Sequence, residues 1–295
     1  MRCKAAAFCS GFVLLAALLF GGAPAWAKPE RIVSMNLCAD QLVMMLADRD
    51  RIASVSYLAA NPTASALAAE ADGITLNHGL AEEILPMEPD LVLAGTFTTR
   101  PTVFLLRRFG YPIVELPVAS SLGDIRSSIR VVAEAVGEPA RGEALIADFD
   151  RTLQEIPSAE SALPPLAVLY WANGFTSGEN TLANAAVEAA GFRTLGRAMG
   201  LNGTAQLPLE TLLNANPDVL IVGRKRDDPA LANEVFRHPA LDRAFAGRPM
   251  ISVPDHLWIC GTPFVAEAVA RLAALRVTLQ QNGGGQAAAT WQPQR

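Results

Sequence analysis

Glu82 and Glu210 are the two carboxylates in this chain whose placement asks for an explanation. They hold the same place in a sentence said twice: EEILPMEPDLVLAG at 82–95 and ETLLNANPDVLIVG at 210–223, in register and without a gap. A first-turn glutamate favours the helix macrodipole in any protein, but a matched pair also presents the same charge twice. Cys38 and Cys260 each lie near the end of an apolar run. They suit buried thiols, a disulfide or sulfurs touching a metal, and the choice turns on a Cα separation of about 6 Å. His78 and His256 stand where an imidazole could reach a ligand and hold a metal centre; His238, in Arg-His-Pro, reads as surface. Tyr57, Phe97, Trp171, Phe175 and Trp258 could wall a flat ligand, though each alone also suits core packing. Arg100 and the turn Arg224-Lys225-Arg226 could hold acidic groups, or be solvated loop charges. The chain has no Gly-x-Ser-x-Gly elbow, phosphate-cradling Gly-x-x-x-x-Gly-Lys, Gly-x-Gly-x-x-Gly or Cys-x-x-Cys.

The elements that must position these residues are themselves repeated. In each copy an apolar helical stretch (82–88, 210–216) is stopped by Pro-Asp, and an unbroken apolar run follows (91–94, 219–222). Such runs suit parallel strands covered on both faces. A second echo, FGYPIVELP at 109–117 and AGRPMISVP at 246–254, gives each copy a further strand. Helix and strand alternating twice over means parallel α/β in two similar lobes, and ligands then collect beyond the carboxyl ends of the strands. Before the first copy, 31–34 and 51–56 read as strands, with Asp40 as N-cap of a helix at 41–47. Between the copies run two helical stretches, 124–136 and 140–156, parted by Gly137-Glu138-Pro139. In the second lobe 166–171 is the opening strand and 180–190 a helix. Another helix near 233–245 is followed by a loop at 255–261 and a closing helix at 262–279.

Residues 1–27 read as a secretory signal peptide: Arg2 and Lys4, an apolar stretch, then Ala25-Trp26-Ala27 before Lys28. Cleavage is expected after Ala27. The chain carries 24 basic residues against 29 acidic ones, and losing Arg2 and Lys4 makes it more acidic. No basic patch suggests nucleic acid. The organisation expected is a signal peptide at 1–27, an N-terminal lobe at 28–138, a linking helix at 139–157, a C-terminal lobe at 158–279 and a disordered tail at 280–295.

Arg31-Ile-Val-Ser34 at the mature start, helix-then-Pro-Asp in both lobes, the linking helix and Gly261-Thr-Pro263 before the last helix together resemble the substrate-binding proteins of ABC importers, in the branch serving cobalamin, ferric siderophores and haem. The resemblance covers about 31–278. It departs at Leu37, where the family usually has Pro, and at Asp40-Gln41, where it has Thr-Glu. It implies two Rossmann-like α/β lobes bridged by one spine helix, a cleft between them, and modest hinge closure. It implies a periplasmic monomer without catalytic residues or a resident cofactor. The partners implied are a metal-chelate ligand, an inner-membrane permease and, through that, its ATPase. Glu82 and Glu210 match the glutamates that meet permease arginines in the vitamin B12-binding relative, with Glu83 as a neighbour. Tyr57, His78, Phe97, Arg100, Trp171, Phe175, His256 and Trp258 become the cleft candidates. An inter-lobe bridge would lock the clamp, so Cys38 and Cys260 are expected as free thiols ahead of a disulfide. Cobalamin and ferric siderophore are the expected cargoes, cobalamin slightly ahead, with haem behind. Bare metal is disfavoured for want of a His-rich loop. An exported tetrapyrrole chelatase, with His78 or His256 as base, is the alternative of a different class.

Overall fold

The computed structural model describes residues 28–158, 163–223 and 230–281. The first lobe runs β1 (Ile32–Ser34), α1 (Leu37–Leu46), β2 (Ile52–Ser56), β3 (Thr75–Asn77), α2 (Ala81–Ile84), β4 (Leu91–Gly95), α3 (Arg100–Arg108) and β5 (Ile113–Leu116). Its five strands are all parallel in the order β3-β2-β1-β4-β5. The central strands β1 and β4 are buried throughout, which is why both read as unbroken apolar runs. Two helices follow, α4 (Leu122–Ala135) and α5 (Pro139–Gln154). They pack closely because residue 142 is glycine: a Cβ there would stand 2.4 Å from that of Ala133. Pro139 starts α5 at a position where its missing N–H costs nothing.

The second lobe runs β6 (Leu166–Tyr170), β7 (Phe175–Ser177), α6 (Leu182–Ala189), β8 (Arg193–Thr194), α7 (Leu195–Ala198), β9 (Thr204–Gln206), α8 (Leu209–Ala215), β10 (Val219–Val222), α9 (Pro239–Ala244), β11 (Met250–Ser252), α10 (Asp255–Trp258) and α11 (Val265–Gln281). Four strands form a parallel sheet in the order β11-β10-β6-β8, and β7 pairs antiparallel with β9. The protein is therefore two α/β lobes, each a parallel sheet flanked by helices. One apolar core runs through both, joining Leu42 and Leu93 of the first to Leu169 and Leu272 of the second by way of Ile129 and Phe149.

The repeated sentence has a structural reason in each lobe. Asp90 accepts the backbone N–H of Glu30 (2.7 Å) and Arg31 (2.8 Å), and its own N–H donates to the Arg31 carbonyl (3.1 Å). Asp218 accepts the N–H of Leu166 (2.8 Å) and returns its own to the Leu166 carbonyl (2.8 Å). In both lobes the Pro-Asp aspartate ties down the entry of the first strand. Just before it, Glu88 (φ 44°) and Asn216 (φ 48°) take matching left-handed turns out of the helix.

Several expected elements are corrected. Asn36, not Asp40, caps α1, its Oδ1 accepting the N–H of Cys38 (3.1 Å) and Ala39 (3.3 Å), while Asp40 is buried inside the helix. The stretch at 82–88 is only one helical turn, tightened into a 3-10 turn where Pro86 removes a donor. The helix near 233–245 is broken by Pro239, with a 3-10 turn at Leu231–Arg237 ahead of α9. The loop at 255–261 is partly helical, and the closing helix starts at Val265. Cys38 and Cys260 are not free thiols: they form a disulfide between the lobes, Cα atoms 5.1 Å apart. The signal peptide, the turn Arg224-Lys225-Arg226 and residues 282–295 of the tail lie outside the described residues.

Candidate functional site

A cavity of about 760 Å³ lies between the lobes. The first lobe supplies Asn36 after β1, Gly95-Thr96-Phe97 after β4 and Leu116–Ala119 at the end of β5; the second supplies Asn180–Leu182 at the start of α6, Gly203-Thr204, Ile259 and Gly261. Most of the first-lobe wall thus comes from carboxyl ends of parallel strands, where such sheets place ligands, with Cys38 and Leu42 of α1 and Ser128 of α4 completing it. Among the described residues that line it, none is charged. The polar groups are amides and hydroxyls: Asn36, Thr96, Ser128, Asn180, Thr181 and Thr204. Phe97, Val118 and Ile259 are exposed apolar residues at the rim.

Asn36 and Thr181 are both helix caps, and that fixes their direction. Thr181 accepts the Asn184 N–H (3.3 Å) while donating to the Gly178 carbonyl (2.8 Å). Gly95 lets the end of β4 pass Asn36, since a Cβ there would lie 2.7 Å from Asn36 Nδ2. Strand, then Asn or Thr, then helix is the signal that could have found these two residues in the sequence; reading for aromatics and charges passed over them.

Of the eight cleft candidates, Phe97 alone lines this cavity, and it is 86 % exposed. Tyr57 and His78 follow β2 and β3 at the same carboxyl edge of the sheet and stack on each other, ring centroids 5.0 Å apart. His78 Nδ1 meets Glu83 Oε1 at 2.9 Å, and Glu83 also accepts the His78 N–H (2.6 Å). Those bonds, from the backbone and ring of His78, hold the Glu83 carboxyl below its ordinary range. Arg100 is committed to Glu115, which Arg107 also pairs. Burial works against the Glu115 carboxylate, but the two guanidiniums outweigh it and its pKa falls. Trp171 and Trp258 meet edge to face at 5.8 Å, with Trp258 buried and Trp171 donating Nε1–H to Ser177 Oγ (2.9 Å). Their rings pack within the second lobe and do not line the cavity. Phe175 sits on β7, partly exposed; His256 is half-buried on α10. His238 caps α9 through Nδ1, accepting the Ala240 N–H (3.2 Å). Glu82 and Glu210 are exposed, each in the first turn of its short helix.

Residues 32–248 match the family described as periplasmic binding protein. The chain belongs to that family. Its place is therefore outside the cytoplasmic membrane. This periplasmic binding protein is 29 % identical over 258 residues to a cobalamin-binding protein of Halobacterium salinarum, a match covering 83 % of this chain and 69 % of the relative. It is also 29 % identical over 231 residues to a vitamin B12-binding protein of Pectobacterium atrosepticum, covering 74 % and 79 %. Among solved structures, the periplasmic heme-binding protein RhuT from Roseiflexus sp. RS-1 superposes with a TM-score of 0.68 at 24 % identity, covering 83 % of this chain and 97 % of that one. That likeness concerns the fold. The family is related to cobalamin, siderophore and haem binders, and the cleft between its lobes is the candidate site.

Proposed function

We propose that this protein captures a metal-chelate nutrient, cobalamin ahead of a ferric siderophore, and delivers it to an inner-membrane ABC permease after export and cleavage behind Ala27. The observation that carries this reading is the cavity wall: apolar at the rim, amide and hydroxyl within, and free of charge among its described residues. A corrin bearing neutral carboxamides finds hydrogen-bond partners there, whereas a polyanionic chelate would lose its hydration without gaining a cation. The two curated relatives, both described as binding cobalamin, support the same cargo. Haem is the second reading, favoured by one observation: Glu83 orients His78 with Nε2 turned away from the pair, as in carboxylate-supported metal-ligating histidines.

The test is visible absorption of the mature protein, desalted after incubation with cyanocobalamin, haemin or ferric hydroxamate and catecholate siderophores. Stoichiometric corrin colour retained is the expected result; retention of haemin alone would transfer the assignment to haem. Docking is assigned to Glu82 and Glu210, whose exposure and equivalent positions suit charge complementarity with a basic partner. Replacing both by Ala should abolish transport and leave ligand affinity unchanged; loss of affinity with transport intact would refute the docking role.

A further inference from the structure

Covalent structure crosses from lobe to lobe at α5 and again at the Cys38–Cys260 bond, whose partners stand 222 residues apart in sequence. The second crossing lies at the cavity itself. Cys38 is in the first turn of α1 and lines the cavity, while Cys260 is only 2 % exposed. Next to it, Gly261 also lines the cavity and presses on the first lobe, where a Cβ would stand 2.4 Å from that of Ala119. The bond therefore clamps the start of α1 to the 259–261 turn along a seam that forms one wall of the site.

We propose that this disulfide is a dithiol-cleavable lock on the cleft. Oxidised, it holds the two walls in the spacing that retains ligand; reduced, it releases them. The asymmetry of the two sulfurs sets the route. A reductant thiolate entering the cavity attacks Cys38 Sγ, and the Cys38–Cys260 bond breaks with Cys260 leaving as thiolate and taking up a proton. The reductant's second thiol then attacks the mixed disulfide, leaving reduced Cys38 and carrying both oxidising equivalents away as its own disulfide. The consequence for ligand retention rests on the function proposed above: reduction loosens a preorganised wall and weakens binding, and by reciprocity bound ligand makes reduction less favourable.

The test uses the mature chain in three forms: oxidised, reduced in place with dithiothreitol, and Cys38→Ser/Cys260→Ser. Hydrogen exchange over 117–121 and 257–263 reads the seam without any ligand, and cyanocobalamin titration reads retention. Expected are faster exchange in both segments on reduction, a Kd raised roughly tenfold, and a smaller fraction reduced at a given ratio of reduced to oxidised dithiothreitol when cyanocobalamin is bound. Unchanged exchange in both segments would overturn the lock, as would equal affinity of the oxidised and reduced forms. Where the oxidised form retains no chelate at all, the ligand assignment fails and exchange alone decides the lock. Where the double variant does not fold, the form reduced in place decides between the two outcomes.

Discussion

Asp40 is a carboxyl shut away from the protein surface. It is fully buried in α1, and burial pushes its pKa up to about 7 even though the Ser56 hydroxyl and N–H donate to it. An acid whose folded pKa lies above its unfolded value keeps its proton in the native state while the unfolded chain has already lost it. Stability then falls as pH rises from about 4 to about 7, by roughly 4 kcal/mol from this group alone. Asp40→Asn should flatten that part of the pH profile and leave the protein at least as stable as wild type at pH 8, read from urea midpoints between pH 4 and 8. A profile as steep as before would mean that other groups carry it. The same residue shows what is hard to read from sequence. Asn36-Leu-Cys-Ala-Asp40 offers two caps one turn apart, and Asp preceding a helical stretch reads as the start. Only the depth of the site makes the earlier Asn the cap and sends the carboxyl inward.

At the scale of elements, the helix–Pro-Asp–strand unit is held in both lobes by an aspartate tied to the backbone of the first strand. The two copies differ in surroundings. Asp218 is 5 % exposed, and burial raises its pKa against the Leu166 N–H and the charges of Arg248 and Arg193, whereas Asp90 is exposed. Asp218→Ala should therefore cost about 1–3 kcal/mol, because no water can replace the lost acceptor, and Asp90→Ala clearly less. Urea unfolding of both variants measures the difference; equal losses would mean that exposure does not decide the cost. This unit was legible in the sequence because a stop signal and an apolar run recur in register. The cavity wall was not. An aromatic after an apolar strand looks the same whether it turns to a cleft, as Phe97 does, or into a core, as Trp258 does. Neutral caps such as Asn36 and Thr181 look like any other cap.

For the molecule as a whole, the inter-lobe bond matters through the chain it encloses. A loop closed over 222 residues restricts the unfolded ensemble by about 5 kcal/mol in the chain-entropy account. Reduction should lower unfolding stability by several kcal/mol, seen as an earlier urea midpoint for the reduced protein; coincident curves would show that the bond adds nothing globally. The two-lobed plan was readable from the repeat, but this bond was not: clamp motion favours free thiols, and only the packing of 259–261 against α1 and Ala119 brings the sulfurs together. Chain order adds a further consequence for a protein that matures outside the cytoplasmic membrane. Cys38 follows only the first strand and Cys260 follows the last, so the native pairing waits until both sheets are in place. Oxidation of this pair is thus a completion mark on the fold: a chain cut short before residue 260 would leave Cys38 without its native partner.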